Sequence, residues 1–168
     1  PFLPIAPDED ASYTPLGVVH DTLYLETNWQ APRGRIVAVD LAHPARDGWR
    51  TIVPESDGVM SEFLLVGRRL VVNYLVDVQS RLRTFDLTGR PGAEVALPEP
   101  GTVAGLSGRN DGGDLFFSFT SYLRPASVFR YELATRTLTP FRPAATPFDA
   151  RAYETRATFY QSKDGTRV

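Results

Sequence analysis

An acidic residue followed by leucine recurs in this chain every 46 residues, at Asp40–Leu41, Asp86–Leu87 and Glu132–Leu133. Each pair closes a short segment rich in β-branched and aromatic residues, and a second apolar run lies upstream of each segment. A repeat of roughly forty to fifty residues built of short strands is typical of propeller blades. The chain is therefore predicted to be all-β, as a β-propeller fragment of about three four-stranded antiparallel blades.

Alternating apolar residues bounded by Gly, Pro, Asn and Asp predict the strands of blades at residues 14–55, 60–98 and 102–143. The predicted strands are 16–20, 22–28, 35–41 and 49–53 in the first blade, 62–66, 69–76, 81–87 and 93–97 in the second, and 102–106, 114–120, 126–133 and 137–142 in the third. The runs LVV at 70–72 and LFF at 115–117 are expected to be buried on both faces, because neighbouring blades cover a second strand from two sides.

Turn residues support this division. Gly34, Gly89 and the Asp111-Gly112-Gly113 run supply positions that tolerate positive φ between strands. Pro54, Pro98 and Pro143 are each expected to end a fourth strand, where a missing N–H costs least. Trp49 and Phe141 lie on predicted outer strands, and we expect them to cap the core between blades.

The two ends of the chain are interpreted differently from the blades. Residues 1–13 are predicted to be the end of a preceding blade, with a strand at 1–6 and a solvated acidic loop at 7–12. Residues 144–168 are predicted to cross into another domain, with a hairpin at 153–168 that turns at Lys163–Gly165. Three blades leave two lateral faces exposed, so we expect either that the chain is part of a longer protein or that it self-associates through those faces.

Composition excludes several classes of partner and site. A net charge of −2 and a pI near 5.7 give no electrostatic reason to expect nucleic acid or an anionic membrane as partner. The apolar run at 63–66 is too short to span a bilayer, and without cysteine there is no disulfide or zinc–sulfur site. Lys163 is the only lysine among 18 basic residues, which favours a GC-rich bacterial gene. We expect a cytoplasmic protein, with the periplasm as the alternative.

Residues able to carry chemistry are few. Ser107 lies in a Gly105–Gly108 string that lacks the G-x-S-x-G spacing of a nucleophile elbow, and a turn between strands is favoured. His20 follows a short strand and could line a propeller channel, whereas His43 is expected to be solvated in a loop. The chain contains no metal-binding HExxH, P-loop or GxGxxG motif. No catalytic, cofactor-binding or metal-binding residue is assigned, no cofactor is expected, and the chain by itself is predicted to be inactive.

Five segments, in the same order along the chain, resemble the prolyl oligopeptidase family of serine peptidases. They are ETNWQAPRGRIVAVDL (26–41), WRTIVPE (49–55), YLVDVQSRLRTFDLTG (74–89), FSFTSYLRPASVFRYEL (117–133) and FYQSKDGTRV (159–168). The resemblance implies the C-terminal part of a seven-bladed propeller, with an α/β-hydrolase domain of the same parent chain as its partner. It also implies substrates that are short proline-containing peptides, cleaved after proline, and a catalytic triad beyond Val168.

In that family the propeller would control access to the active site, and we interpret residues 143–160 as a hinge between the two domains. Two alternatives remain. The chain could belong to a related oligopeptidase with another specificity, for example for basic residues, or it could be a non-enzymatic propeller module that binds a protein or a ligand.

Overall fold

The computed structural model describes residues 4–6, 10–145, 148–156 and 158–167. Within these residues, twelve strands form three four-stranded antiparallel sheets, each with its strands in chain order. The first sheet contains β1 (Tyr13–Val19), β2 (Thr22–Thr27), β3 (Arg35–Asp40) and β4 (Arg50–Val53). The second contains β5 (Val59–Val66), β6 (Arg69–Val76), β7 (Gln79–Asp86) and β8 (Pro91–Glu94). The third contains β9 (Thr102–Gly108), β10 (Asp114–Thr120), β11 (Ser127–Glu132) and β12 (Thr137–Arg142). This architecture confirms the predicted all-β propeller fragment of three antiparallel blades.

The blades pack face to face through two apolar cores. The core between the first and second blades buries Ile36, Leu70 and Val72 among other residues. The core between the second and third blades buries Leu82, Leu115 and Phe117 among other residues. Period-2 alternation places successive side chains of one strand on opposite faces, so the second blade contributes to both cores. Burial of apolar surface between neighbouring blades therefore holds the three units together.

Strand bounds follow the prediction for β6, β10 and β12, whereas the fourth strand of the second blade was predicted too late. That strand, β8, begins at Pro91, because Asp86 accepts the backbone N–H groups of Thr88 and Arg90 and so closes a tight turn. Pro98 consequently lies beyond the strand instead of ending it, and that prediction was wrong. Pro54 and Pro143 do follow the last residues of β4 and β12.

The turns contain left-handed residues at both predicted and unpredicted positions. Gly34 and Gly89 adopt φ values of 89° and 88°, as expected. The β5–β6 turn uses Gly67 at φ 55°, a position that the sequence analysis did not identify. The β6–β7 turn has no glycine and instead holds Asp77 and Val78 at φ 48° and 62°.

Burial of the second strands confirms one expectation and corrects another. Leu70, Val71 and Val72 are completely buried, because blades lie on both sides of β6. Phe116 on β10 is only half-buried, although Leu115 and Phe117 are buried. The described residues place no fourth sheet against the outward face of the third blade, so LFF at 115–117 is not buried on both faces.

Both ends of the chain differ from the prediction. Residues 1–3 and 7–9 lie outside the described residues, and residues 4–6 form a bend rather than a strand. The turn at Lys163–Gly165 is present, with the Ser162 N–H donating to the Thr166 carbonyl at 2.8 Å. The predicted hairpin at 153–168 is otherwise reduced, within the described residues, to one bridge between Gln161 and Arg167. Among the residues that the structure describes, no sheet pairs with this segment, and an isolated hairpin is marginally stable in water.

Candidate functional site

The first strands of the three blades, β1, β5 and β9, lie side by side and form what we call the inner wall. In a propeller these innermost strands line the central channel, so this wall is the surface past which a channel ligand would move. β5 contacts both β1 and β9 directly. The position of these strands therefore depends on the contacts between neighbouring blades. We call the two lines of contact, between the first and second blades and between the second and third, the seams.

A glutamate joins the wall across the seam between the second and third blades. The half-buried side chain of Glu62 on β5 accepts the Gly105 N–H at 3.1 Å with one carboxylate oxygen. Its other oxygen accepts the Leu106 N–H at 3.0 Å. Gly105 adopts φ 67° at an irregularity in the pairing of β9 with β10, and this turns both N–H groups away from the ladder. Hydrogen bonds to an ionised carboxylate are among the stronger ones in proteins.

Two buried polar side chains reinforce the same seam. Asn73, 2% exposed, donates from Nδ2 to the Val103 carbonyl at 3.2 Å. Ser80 accepts the Val103 N–H with its hydroxyl at 2.8 Å, and its own N–H donates to the Gly101 carbonyl at 2.9 Å. Neither residue was predicted from the sequence, although a single asparagine inside the apolar run LVVNYL was a usable signal. Buried polar groups of this kind are costly unless paired, so they specify how the blades align.

The seam between the first and second blades relies more on apolar contact. The Tyr24 hydroxyl donates to the Leu87 carbonyl at 3.3 Å, and the Met60 N–H donates to the Arg33 carbonyl at 2.8 Å. The carboxyl of Glu26, 9% exposed, lies near this seam, and burial raises its pKa above the ordinary range.

The two histidines lie at turns of the first blade. His20 occupies the β1–β2 turn at φ 54°, so it follows β1 and does not extend it along a channel wall. His43 is exposed in the loop after β3, as expected, with Nδ1 3.5 Å from the Asp40 carboxylate. Ser107 lies inside β9, paired with Phe116, and not in a turn as predicted. The described residues therefore do not bring these candidates together.

The acidic linker is only partly described. Asp10 is exposed, yet its carboxylate receives two hydrogen bonds from the Arg46 guanidinium, at 2.8 and 3.1 Å. These bonds lower the pKa of Asp10 to about 2. Arg46 also lies over the Trp29 ring, 4.7 Å from its centroid. Asp10 thus has a partner on the 3₁₀ turn Arg46–Gly48 and is not simply solvated.

The two lateral faces of the fragment are unequal. On the outward face of the first blade, Leu25, Val37 and Val39 are buried beneath Ile5, Tyr13 and Trp49. Trp49 therefore covers this outward face, and the prediction that it caps the core between the first and second blades was wrong. On the outward face of the third blade, Phe141 is 54% exposed and meets Phe116 edge to face, with 5.2 Å between ring centroids. The expectation of two exposed lateral faces was therefore wrong for the first blade, because the N-terminal segment and the β3–β4 loop cover it.

Among the described residues, no cluster of three or more His, Asp or Glu side chains is arranged to hold a metal ion. No helix within the described part of the chain is long and apolar enough to cross a membrane.

Comparison with known proteins gives a consistent result. The family model for the prolyl oligopeptidase N-terminal β-propeller domain matches residues 1–144. The prolyl endopeptidase of Elizabethkingia meningoseptica is 28% identical over 167 residues, which cover 99% of this chain and 24% of that protein. Prolyl oligopeptidase ophP of Omphalotus olearius is 28% identical over 165 residues, which cover 95% of this chain and 22% of that protein. The chain thus spans about a quarter of the length of these relatives.

Solved structures agree with the sequence relatives. A structure from a mechanistic study of two prolyl endopeptidases superposes with a TM-score of 0.86 at 32% identity, covering 97% of this chain and 24% of that one. Ligand-free prolyl oligopeptidase B from Galerina marginata superposes with a TM-score of 0.85 at 20% identity, covering 97% and 24%. The second likeness supports the fold alone.

Proposed function

Because this chain belongs to the prolyl oligopeptidase family, we propose that it is the propeller part of a serine peptidase that cleaves short peptides after proline. The propeller is the non-catalytic part of such an enzyme, and its role here is to control access to the active site. The observation that carries the proposal is the match of residues 1–144 to the propeller domain, together with the three stacked blades.

A ring of blades over an active site acts by exclusion. It admits short flexible peptides and keeps folded proteins out, because the apolar cores and the polar seam keep neighbouring blades from separating. Closure also removes water from the reacting groups, which strengthens the electrostatic stabilisation of an oxyanion. The blades therefore contribute to specificity for peptide length without contacting the scissile bond.

Peptides reach a covered active site only if the propeller and the hydrolase domain open relative to each other. We propose that residues 143–160 are the hinge for this motion. Residues 146–147 and 157 lie outside the described residues. The described part holds a 3₁₀ turn at Ala150–Ala152 and no strand, and the Ala144 N–H donates to the Ser127 hydroxyl at 3.0 Å. The segment is thus fixed at its beginning to the third blade, which suits a hinge between domains.

Peptide cleavage by the longer protein that contains this chain tests the proposal. A short fluorogenic peptide with proline before the scissile bond should be cleaved, and the same peptide with arginine at that position should not. The 168-residue chain by itself should cleave neither peptide. Preference for arginine would indicate the related oligopeptidase instead, and cleavage of neither peptide by the longer protein would indicate a binding module.

A crosslink tests the hinge. A disulfide between residues 143–160 and the hydrolase domain should slow turnover of the proline peptide and restore it on reduction. The control is a disulfide within the second blade, which should change turnover little. Equal turnover of the oxidised hinge variant and the unmodified enzyme would contradict the hinge.

We propose further that the isolated chain self-associates through the outward face of the third blade. Support comes from Phe116 and Phe141, which form a partly exposed aromatic pair there. In a complete ring, a neighbouring blade would cover such a face.

A further inference from the structure

Four arginines line one recess between the second and third blades. Arg68 and Arg69 lie at the β5–β6 turn, Arg90 at the β7–β8 turn and Arg136 at the β11–β12 turn. The recess encloses about 400 Å³. β12 begins beside the β11–β12 turn and ends at Arg142, so the recess lies at the opposite end of the blades from the chain's departure. We call this site the arginine recess.

The positive charge of the arginine recess is not neutralised within the part of the chain that the structure describes. None of the four guanidiniums forms an ion pair there with a carboxylate. The recess is lined by one carboxylate, that of Asp86, whose Oδ1 already accepts the Thr88 N–H, the Thr88 hydroxyl and the Arg90 N–H at 2.6–3.0 Å. On the third blade, the Glu132 carboxylate accepts the Thr135 hydroxyl at 2.7 Å. Guanidiniums gathered in this way repel one another, and a bound anion would relieve that repulsion.

A buried tyrosine shows where two of these guanidiniums lie. Tyr131, 3% exposed, lines the inner end of the recess together with Arg69 and Arg136. Burial raises the pKa of Tyr131, and the positive charges of Arg136 and Arg69 oppose that rise. Two arginines from different blades are therefore close to the same phenol, and an anion placed between them would bridge the blades.

The backbone that carries the arginines is fixed in place. The Gly67 N–H donates to the Arg109 carbonyl at 3.1 Å, and the Arg68 N–H donates to the Asn110 carbonyl at 3.2 Å, both across the seam. Arg68 and Arg136 adopt φ values of 57° and 58°, which residues other than glycine and asparagine seldom occupy. Backbone of this kind concentrates at functional positions. Because the turns are already ordered, a ligand would restrict only the arginine side chains, which lowers the entropic cost of binding.

We propose that the arginine recess binds a compact anion with two or more phosphate groups. Guanidinium groups match phosphate oxygens with paired hydrogen bonds, and arginines contributed by two blades suit several phosphates rather than one. The volume of the recess fits a small molecule. The positive charge does not continue as a stripe toward the β9–β10 turn, because Arg109 there is paired with Asp111 at 2.9 Å, and this argues against nucleic acid. The inference is independent of the proposed function, since it concerns no group that acts on a peptide bond.

Calorimetric titration of the longer protein with tripolyphosphate at low ionic strength tests the proposal. We expect tripolyphosphate to bind about tenfold or more tightly than citrate, which carries carboxylates instead of phosphates. Arg69→Gln combined with Arg136→Gln should weaken binding about tenfold or more. The matched control, Arg50→Gln combined with Arg81→Gln, removes the same charge from exposed positions elsewhere and should change the affinity less than about twofold.

Three results of the titration would overturn the proposal. They are the absence of tripolyphosphate binding at about 1 mM, equal affinity for citrate, and equal weakening in the two double variants.

Hydrogen exchange of the unmodified longer protein locates the anion without any substitution. Tripolyphosphate should slow exchange at residues 67–69 and 134–136 about threefold or more. The β6–β7 turn at 77–78, at the other end of the second blade, is the internal reference and should not change. Equal protection of the reference turn, or no protection at 67–69 and 134–136, would overturn the assignment of the site.

Discussion

The carboxylate of Glu62 and the backbone N–H of Leu106 meet at 3.0 Å across the seam between the second and third blades. The two residues are 44 positions apart, which is nearly one repeat. Asn73 and Ser80 add buried hydrogen bonds to the same seam. The second and third blades are thus joined by side-chain chemistry as well as by their apolar core.

Replacing Glu62 with alanine should weaken this seam, because two N–H groups lose a charged acceptor. We expect a loss of about 1–3 kcal/mol in the free energy of unfolding, measured by chemical denaturation. Hydrogen exchange of Leu106 should accelerate as well. Glu94→Ala is the matched control, since it breaks only an exposed ion pair with Arg83 and should cost about 0.5 kcal/mol or less. Equal effects of the two substitutions would show that the hydrogen bonds of Glu62 to Gly105 and Leu106 contribute nothing to stability.

The ion pair between Asp10 and Arg46 should make stability depend on acid pH. The pKa of Asp10 is about 2 in the folded chain and 3.8 in its unperturbed state. A depressed carboxyl pKa contributes stability above the unfolded value, and that contribution is lost as the pH falls from 3.8 through 2. Carboxyl NMR titration should give the folded value directly, and Arg46→Met should move it back toward 3.8. An unchanged midpoint in that variant would show that Arg46 is not the cause.

Two glycines with similar backbone angles should differ sharply when replaced by alanine. Gly89 and Gly105 adopt φ 88° and 67°, so both alanine variants pay the strain of a left-handed residue, about 1 kcal/mol. A Cβ at Gly89 would also collide with the Ile52 carbonyl of the first blade, whereas one at Gly105 would meet nothing within 4 Å. We expect Gly89→Ala to cost about 1–3 kcal/mol more than Gly105→Ala in thermal or chemical unfolding. Equal costs would mean that the backbone at the seam between the first and second blades shifts to accommodate the methyl group at position 89.

Association of the isolated chain should depend on the outward face of the third blade. Phe141→Arg places a charge on the Phe116–Phe141 pair and should shift the size-exclusion profile toward monomer at a given concentration. Leu41→Arg, on a loop of the first blade, should leave the profile unchanged. A wild-type chain that stays monomeric at high concentration would refute self-association altogether.

Several features of the fold were predictable because they are local. The bounds of β6, β10 and β12 follow from alternation and flanking turn residues. The error at β8 arose because the Asp86 side chain closes the β7–β8 turn early, through hydrogen bonds that the alternation of residues does not indicate. The glycine-free turn at Asp77–Val78 was predicted only as a gap between strands, because a β-branched residue such as Val78 rarely adopts positive φ.

The sequence by itself determined the repeat, the three antiparallel blades and the family, since each depends on patterns within about 46 residues or on ordered strings of residues. Only the tertiary structure decided which faces are covered and which polar residues join the blades. Glu62, Asn73 and Ser80 look like ordinary strand residues until packing brings a neighbouring repeat within hydrogen-bonding distance. The same holds for Trp49 and Phe141, because Trp49, just before β4, packs on the outward face of the first blade, whereas Phe141 on β12 is half exposed on the third.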